Sequence, residues 1–226
     1  MRSQIREIEL KVTVPQSFQE KLQMTSADTQ RPKRPRTKPP EERRDDLMNA
    51  AQRMFIEHGV NHTTVDQITN AAKVAKGTFY IYFNSKEDIH AALASRFVED
   101  YVRKVRAEIN NESEDDFAGR LAAWVGASVD GYLNDPPLVD MLFHKHPQIP
   151  NGNLTSKIVS PLEELLSSGQ QSGAWSIRSP RFVAVYLYSA LHGVIDDLIF
   201  SSNPITKRKL INEIEMLSWR VVGLAA

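Results

Sequence analysis

From about Pro40 onward the apolar residues recur three and four apart, and no later stretch replaces that period with alternation. Leu47, Ala51, Met54, Phe55 and His58 fall at i, i+4, i+7, i+8 and i+11, which is one face of a helix. Near the other end Leu210, Ile214, Leu217 and Val221 form a second such stripe. A chain that keeps this period for most of its length buries its apolar faces by packing helix on helix. The expected class is therefore all-α. Its 226 residues, 41% hydrophobic, suffice for a core and suggest one large or two modest domains. The absence of cysteine excludes a disulfide framework, a thiolate zinc site and a cysteine nucleophile. The longest apolar run, Phe182 to Leu191, is ten residues, about half of the ~20 that a membrane helix needs. No basic segment followed by an apolar stretch marks a secretory signal. A cytoplasmic protein with no membrane partner is expected.

The formal net charge of zero hides a gradient. Residues 1–89 carry 15 basic and 12 acidic side chains, against 13 and 16 in residues 90–226. The basic excess gathers in Arg31, Lys33, Arg34, Arg36, Lys38, Arg43 and Arg44, opposed only by Glu41 and Glu42. Four prolines between Thr25 and Pro40 make this stretch an extended arm. A solvated tail and a nucleic-acid-binding arm are both open on charge alone. Before it, Ile8, Leu10, Val12 and Val14 alternate with polar residues as a half-buried strand would, yet no second strand pattern exists to pair with them. Residues 1–23 thus read as an upstream extension, an over-long reading of the gene or a cloning remnant, and the natural start is expected at Met24. Pairing across a dimer, or ordering on DNA, is the other reading of Ile8–Val14.

Helix punctuation is clear between residues 40 and 90. A first helix spans about Pro40 to His58, with Gly59 at its end. Thr64-Val65-Asp66-Gln67 has the residue types of a reciprocal cap, and Val65, Ile68, Ala71 and Ala72 give the next helix its apolar face. Lys73-Val74-Ala75 breaks the chain tightly, and Lys76 to Phe83 forms a third helix. Ser85-Lys86-Glu87-Asp88 caps a long fourth helix reaching about Ile109. Two short helices joined by three residues, behind a stabilising helix, make a helix-turn-helix. On the third helix Phe79 and Phe83 face the core, whereas the pairs Lys76/Tyr80 and Thr78/Tyr82 point elsewhere. Either something docks on that face or these are amphipathic tyrosines on a small solvated helix.

Thr63-Thr64-Val65-Asp66-Gln67-Ile68, Val74 to Phe83 and Ser85-Lys86-Glu87-Asp88 resemble, in residue types and spacing, the DNA-binding domain of the TetR/AcrR family of bacterial transcriptional regulators. The resemblance covers roughly Arg43 to Ala94. It implies that Lys76, Gly77, Thr78 and Tyr80 face the major groove and that Tyr82 and Lys86 contact phosphate. Lys76 suits guanine O6/N7, Thr78 a base edge or a thymine methyl, and Val74 and Ala75 a methyl group. Thr64 is either a phosphate contact or only a cap. Arg34 and Arg36 in the arm would follow the backbone or enter the minor groove; a salt-dependent tether is the other reading.

The family's C-terminal region is an effector-binding and dimerisation domain, so the expected layout is an arm over 1–39, a helix-turn-helix domain over 40–88 and a helical domain over 89–226. Helices are predicted at about Glu114–Asn134, Pro137–Lys145, Asn153–Ser172, Ser179–Ser201 and Asn203–Leu224. Pro161 either kinks the third of these or restarts it. The last two helices are expected to form the family's four-helix dimer interface. Trp124, Tyr132, Met141, Phe143, Trp175, Tyr186 and Tyr188 are candidate chamber linings, with burial in the core as the plainer reading of each. His192 with Asp196 and Asp197, or His144 with His146, are candidate ligand or metal groups. They lack a third ligand at fixed spacing, so no metal and no cofactor is expected. No G-x-S-x-G, Gly-rich phosphate loop or H-E-x-x-H offers a catalytic centre. The sequence thus points to a dimeric repressor that binds a palindromic double-stranded DNA operator and is released by a partly apolar small-molecule effector. A helix-turn-helix architectural or interaction protein without an inducer is the alternative.

Overall fold

The computed structural model describes residues 39–144, 151–201 and 205–224, and all regular structure in them is helical. Ile8–Val14, Met24, Arg34, Arg36 and His146 lie outside the described residues, as does the side chain of His144. The helices are α1 (Pro40–His58), α2 (Val65–Ala72), α3 (Lys76–Tyr82), α4 (Lys86–Asn111), α5 (Phe117–Leu133), α6 (Pro136–Val139), α7 (Asn151–Gln171), α8 (Pro180–Ser201) and α9 (Lys207–Val222), with a π-helical turn at Asp140–His144 after α6.

The capping pattern at Thr64 forms as expected. Gln67 N–H donates to Thr64 Oγ1 at 3.2 Å, and Thr64 N–H donates to Gln67 Oε1 at 2.8 Å. Each bond satisfies a backbone or side-chain group that the helix start leaves open. Buried Thr63 closes the preceding loop by donating to the Gly59 and Met54 carbonyls. The turn into α3 passes through Lys73, a non-glycine residue held in the left-handed region at φ 57°. Thr64→Ala is expected to destabilise α2 by about 1 kcal/mol, seen as faster hydrogen exchange at the Gln67 amide and its neighbours. An unchanged exchange rate would show that the cap contributes nothing.

Caps also explain where the later boundaries differ from the sequence reading. Asp116 accepts from Gly119 N–H at 2.8 Å, so α5 begins at Phe117. Asp135 accepts from Leu138 N–H, starting α6 one residue before the expected Pro137. Thr206, through Lys209 N–H, starts α9 at Lys207 and not near Asn203. α7 runs through Pro161 as one helix and does not restart there.

α4 organises the molecule. Its buried stripe begins with Ile89, Leu93 and Ala94 and continues through Val98, Tyr101, Val105 and Ile109. It packs against α1 at one end and against α5 and α7 beyond. The same helix therefore runs unbroken across residues 88 and 89, where two domains were expected to meet. Around its start, Leu47, Phe55, Ile68, Phe79 and Phe83 form the small core of α1–α3. In the larger part Trp124 and Trp175 are both buried. Trp175 lies across α7 at Gly169, and its Nε1–H donates to the Leu166 carbonyl at 2.8 Å.

α8 corrects one expectation. Pro180–Ile199 is long and apolar enough to cross a membrane by length and composition, with mean hydropathy 1.4. The ten-residue run understated it because His192 and Gly193 end that run, while Val194, Ile195, Leu198 and Ile199 resume it around Asp196 and Asp197. One side, Ala184, Leu187, Leu191 and Ile195, is buried in this chain; Phe182, Val185, Tyr186, Val194 and Ile199 are exposed.

Candidate functional site

Two places in the molecule could carry function: the outer face of α2–α3 and a chamber in the helical body. On α3, Phe79 is fully buried and Phe83 nearly so, which turns the opposite side outward. Ala75, Lys76, Gly77, Tyr80 and Ile81 are exposed, while Val74, Thr78 and Tyr82 are half-buried, Val74 and Tyr82 packing on the core. A Cβ on Gly77 would meet nothing within 4 Å, so its backbone is open to close approach. Lys76 Nζ lies 2.9 Å from Asp66 Oδ1, tying α3 to α2. That hydrogen-bonded carboxylate holds the ammonium above the usual lysine range. Lys86 Nζ donates to the Asn61 carbonyl at 3.1 Å. Both lysines are thus on the outer side of the motif and already have oxygen partners there. Exposed pairs of this kind exchange readily for other anions, since they are worth little in water. Ile81, 75% exposed, was missed in the sequence reading. At ~100° per residue it lies about 180° from the mid-line of Phe79 and Phe83, and that helical arithmetic was the signal available for it.

The chamber has a volume of about 440 Å³ and lies between α4, α5, α7 and α8. Phe97, Tyr101, Val139, Phe143, Leu154 and Ile158 supply its apolar walls; Ser128, Tyr132, Thr155, Tyr188, Ser189, His192 and Asp196 supply polar atoms. Exposed Ser189 and Gly193 on α8 mark its mouth. The close approach of α4 to α5 needs Gly131, where a Cβ would sit 2.8 Å from the Tyr101 ring. Tyr101 and Ser128 hydroxyls are 2.8 Å apart. Burial pushes the Tyr101 phenol up to about 12, outweighing the opposing effect of Ser128. Burial likewise raises Tyr132 and Tyr188, and Asp196 adds to both. All three phenols are neutral near pH 7.

Tyr132 donates to Asp196 Oδ1, and this pair has a second neighbour. Its other side lines a cleft with Phe55, Glu57 and Gly59 from the end of α1, Pro137 from α6, and Asp140 and Met141 from the turn after it. Beside it, buried His90 of α4 donates through Nε2 to the Met141 carbonyl at 3.2 Å, its ring edge-on to Phe55. The chamber wall is therefore also the wall of a cleft bordered by the helix-turn-helix core.

Of the residues expected to line a chamber, Tyr132, Phe143, Tyr188 and His192 are brought together there. Trp124 is in the core, and Trp175 is sealed between Gly169 and Phe117. Met141 lines the neighbouring cleft, and Tyr186 sits on the outer face of α8 beside Leu217 and Val221. The physical reason is rotation about the helix axis. Tyr186 and Tyr188 are two residues apart, about 200° around α8, so one faces in and the other out. Among the described residues no three ligating side chains are grouped to hold a metal. His192 Nδ1 donates to the Tyr188 carbonyl, and Asp196 accepts from Tyr132. Tyr101, Ser128 and Gly131 were missed; small residues three apart on α5, facing an aromatic, were the signal.

Comparison with known proteins bears on the first of the two places. Residues 47–93 match the bacterial regulatory proteins of the tetR family. The chain is 30% identical over 105 residues to the HTH-type transcriptional activator FasR of Mycolicibacterium smegmatis, covering 46% of this chain and 47% of that protein. It thus spans about half of that relative. It is 27% identical over 166 residues to the HTH-type transcriptional repressor DhaR of a Mycobacterium species, covering 67% of this chain and 80% of that one. The transcriptional regulator FadR from Bacillus subtilis, solved in complex with stearoyl-CoA, has the same fold, with TM-score 0.66 and 20% identity over 80% of this chain and 99% of that one.

Proposed function

The chain is a bacterial regulatory protein of the TetR family, and from that premise we propose that it is a cytoplasmic, homodimeric repressor released from a palindromic operator by a small molecule bound in the chamber. It works by binding, not catalysis. Lys76, Gly77, Thr78 and Tyr80, flanked by Val74 and Ala75, read the major groove, with Lys76 exchanging Asp66 for a base edge. Tyr82, Lys86 and the start of α2 at Thr64 hold phosphates. The basic arm, with Arg34 and Arg36, adds salt-dependent affinity. The exposed faces of α8 and α9, with Phe182, Tyr186, Val194, Leu217 and Val221, close the dimer. Two half-sites then lie one helical turn, ~34–36 Å, apart.

The observation that carries the effector half of this reading is the chamber itself. An interaction protein without an inducer has no use for about 440 Å³ of space beside α4. That FadR holds stearoyl-CoA supports only the capacity of this architecture for an effector. Filling the chamber shifts the population toward a conformation whose recognition helices no longer match successive grooves.

The test begins with selection of bound sequences from random DNA, which is expected to return an inverted repeat. Compounds that release the protein from it are then screened against Thr155→Trp, which fills the chamber from α7, away from the proposed dimer face. The variant should bind the operator normally and ignore those compounds. Release of the variant at the same concentrations would place the effector elsewhere.

A further inference from the structure

The three chamber phenols differ in one respect. The Tyr101 hydroxyl is paired with Ser128 and that of Tyr132 with Asp196, but the Tyr188 hydroxyl has no hydrogen-bond partner among the described residues. The Tyr188 ring is nonetheless fixed. It packs against the His192 ring with centroids 4.0 Å apart, and the His192 imidazole is anchored on the Tyr188 carbonyl. A phenol held in place in a largely apolar cavity, with nothing accepting its proton, is a donor waiting for an acceptor.

We propose that the chamber takes an uncharged, mostly apolar molecule carrying an oxygen acceptor, such as a ketone, and that the Tyr188 hydroxyl is the hydrogen-bond donor that orients it. This rests on the reading of the chamber as the effector site and names the class of effector. Phe97, Phe143, Leu154 and Ile158 bury the apolar body, while Tyr188 fixes its polar end. An anionic ligand is disfavoured by the same burial that raises the Tyr188 phenol, and the nearby Asp196 carboxylate adds to it. A phenol that stays protonated donates one bond but supplies no countercharge, so it selects a neutral acceptor over a carboxylate.

Three ring-matched probes separate the charge states: 4-fluoroacetophenone, 4-fluorobenzoate and 4-fluorobenzylammonium, each titrated with the full chain and followed by fluorine NMR. The ketone is expected to bind at least about tenfold more tightly than either ion. Tyr188→Phe, which keeps the ring on His192, should weaken the ketone up to about tenfold. Ser167→Ala, which removes an α7 hydroxyl that donates to the Glu163 carbonyl outside the chamber, should leave its affinity unchanged. Equal or tighter binding of either ion overturns the proposal, as does a ketone affinity indifferent to Tyr188→Phe. If none of the probes binds, or if Thr155→Trp binds them as the unsubstituted chain does, the chamber reading falls too.

Discussion

Leu217→Arg is expected to convert the proposed dimer to monomers and to lower operator affinity at least about 100-fold, because two half-sites are then no longer bound by one linked pair of domains. Leu217 is 53% exposed and shares a shallow groove with Tyr186, Val194 and Val221. In the single chain an arginine there points into water and disturbs little. In a dimer that covers the groove it becomes an unpaired buried charge, which costs several kcal/mol. Sedimentation equilibrium and an operator titration on the same sample check both halves of the expectation. A variant that stays dimeric would mean that α8 and α9 meet their partner on another face, or not at all.

Gly169→Ala is expected to destabilise the helical body by about 1–3 kcal/mol. A Cβ at this position would stand 2.2 Å from the Trp175 ring, which is buried and bonded to the Leu166 carbonyl. The ring must lift, and it then loses that hydrogen bond and its edge contact with Phe117. Urea denaturation followed by tryptophan emission reads both the lower midpoint and the wetter indole. Gly126→Ala on α5 is the control: nothing lies within 4 Å of its added methyl, and alanine is the better helix former by ~1 kcal/mol. If both variants lower the midpoint alike, the indole is not what makes residue 169 special.

These features were unequally legible in the residue string. The helix-turn-helix could be read because its signals are local: Thr64 with Gln67, Ser85 with Asp88, and the i, i+4 pair Phe79 and Phe83 all act within one turn of helix. The helix starts at Phe117 and Lys207 fall later than the residue pattern suggested because the caps that form are Asp116 and Thr206. The chamber was visible only as an inventory of aromatics. Which of them line it depends on how α5, α7 and α8 rotate against α4, and Gly131 sets the approach of α5 to α4. Trp124 and Trp175, two of the candidate chamber linings, instead became core, because large flat side chains bury the most area there. Tyr188 stood out only after Tyr101 and Tyr132 had been seen to have partners.

The continuity of α4 has a mechanical consequence. At ~1.5 Å per residue, its 26 residues form a rod about 39 Å long. Phe97 and Tyr101 touch the chamber partway along it, and Ile89 grips the helix-turn-helix core nearer its start. From Tyr101 to Ile89 is a lever arm of about 18 Å. With no joint between those points, a tilt of about 10° pivoting at Tyr101 carries the far end about 3 Å, close to the ~3.4 Å step between stacked base pairs. Two subunits moving in opposite senses would double that mismatch. On the proposed mechanism an effector would unfold and detach nothing; leaning a stiff beam by about 10° would move each reading head by roughly one rung of the ladder.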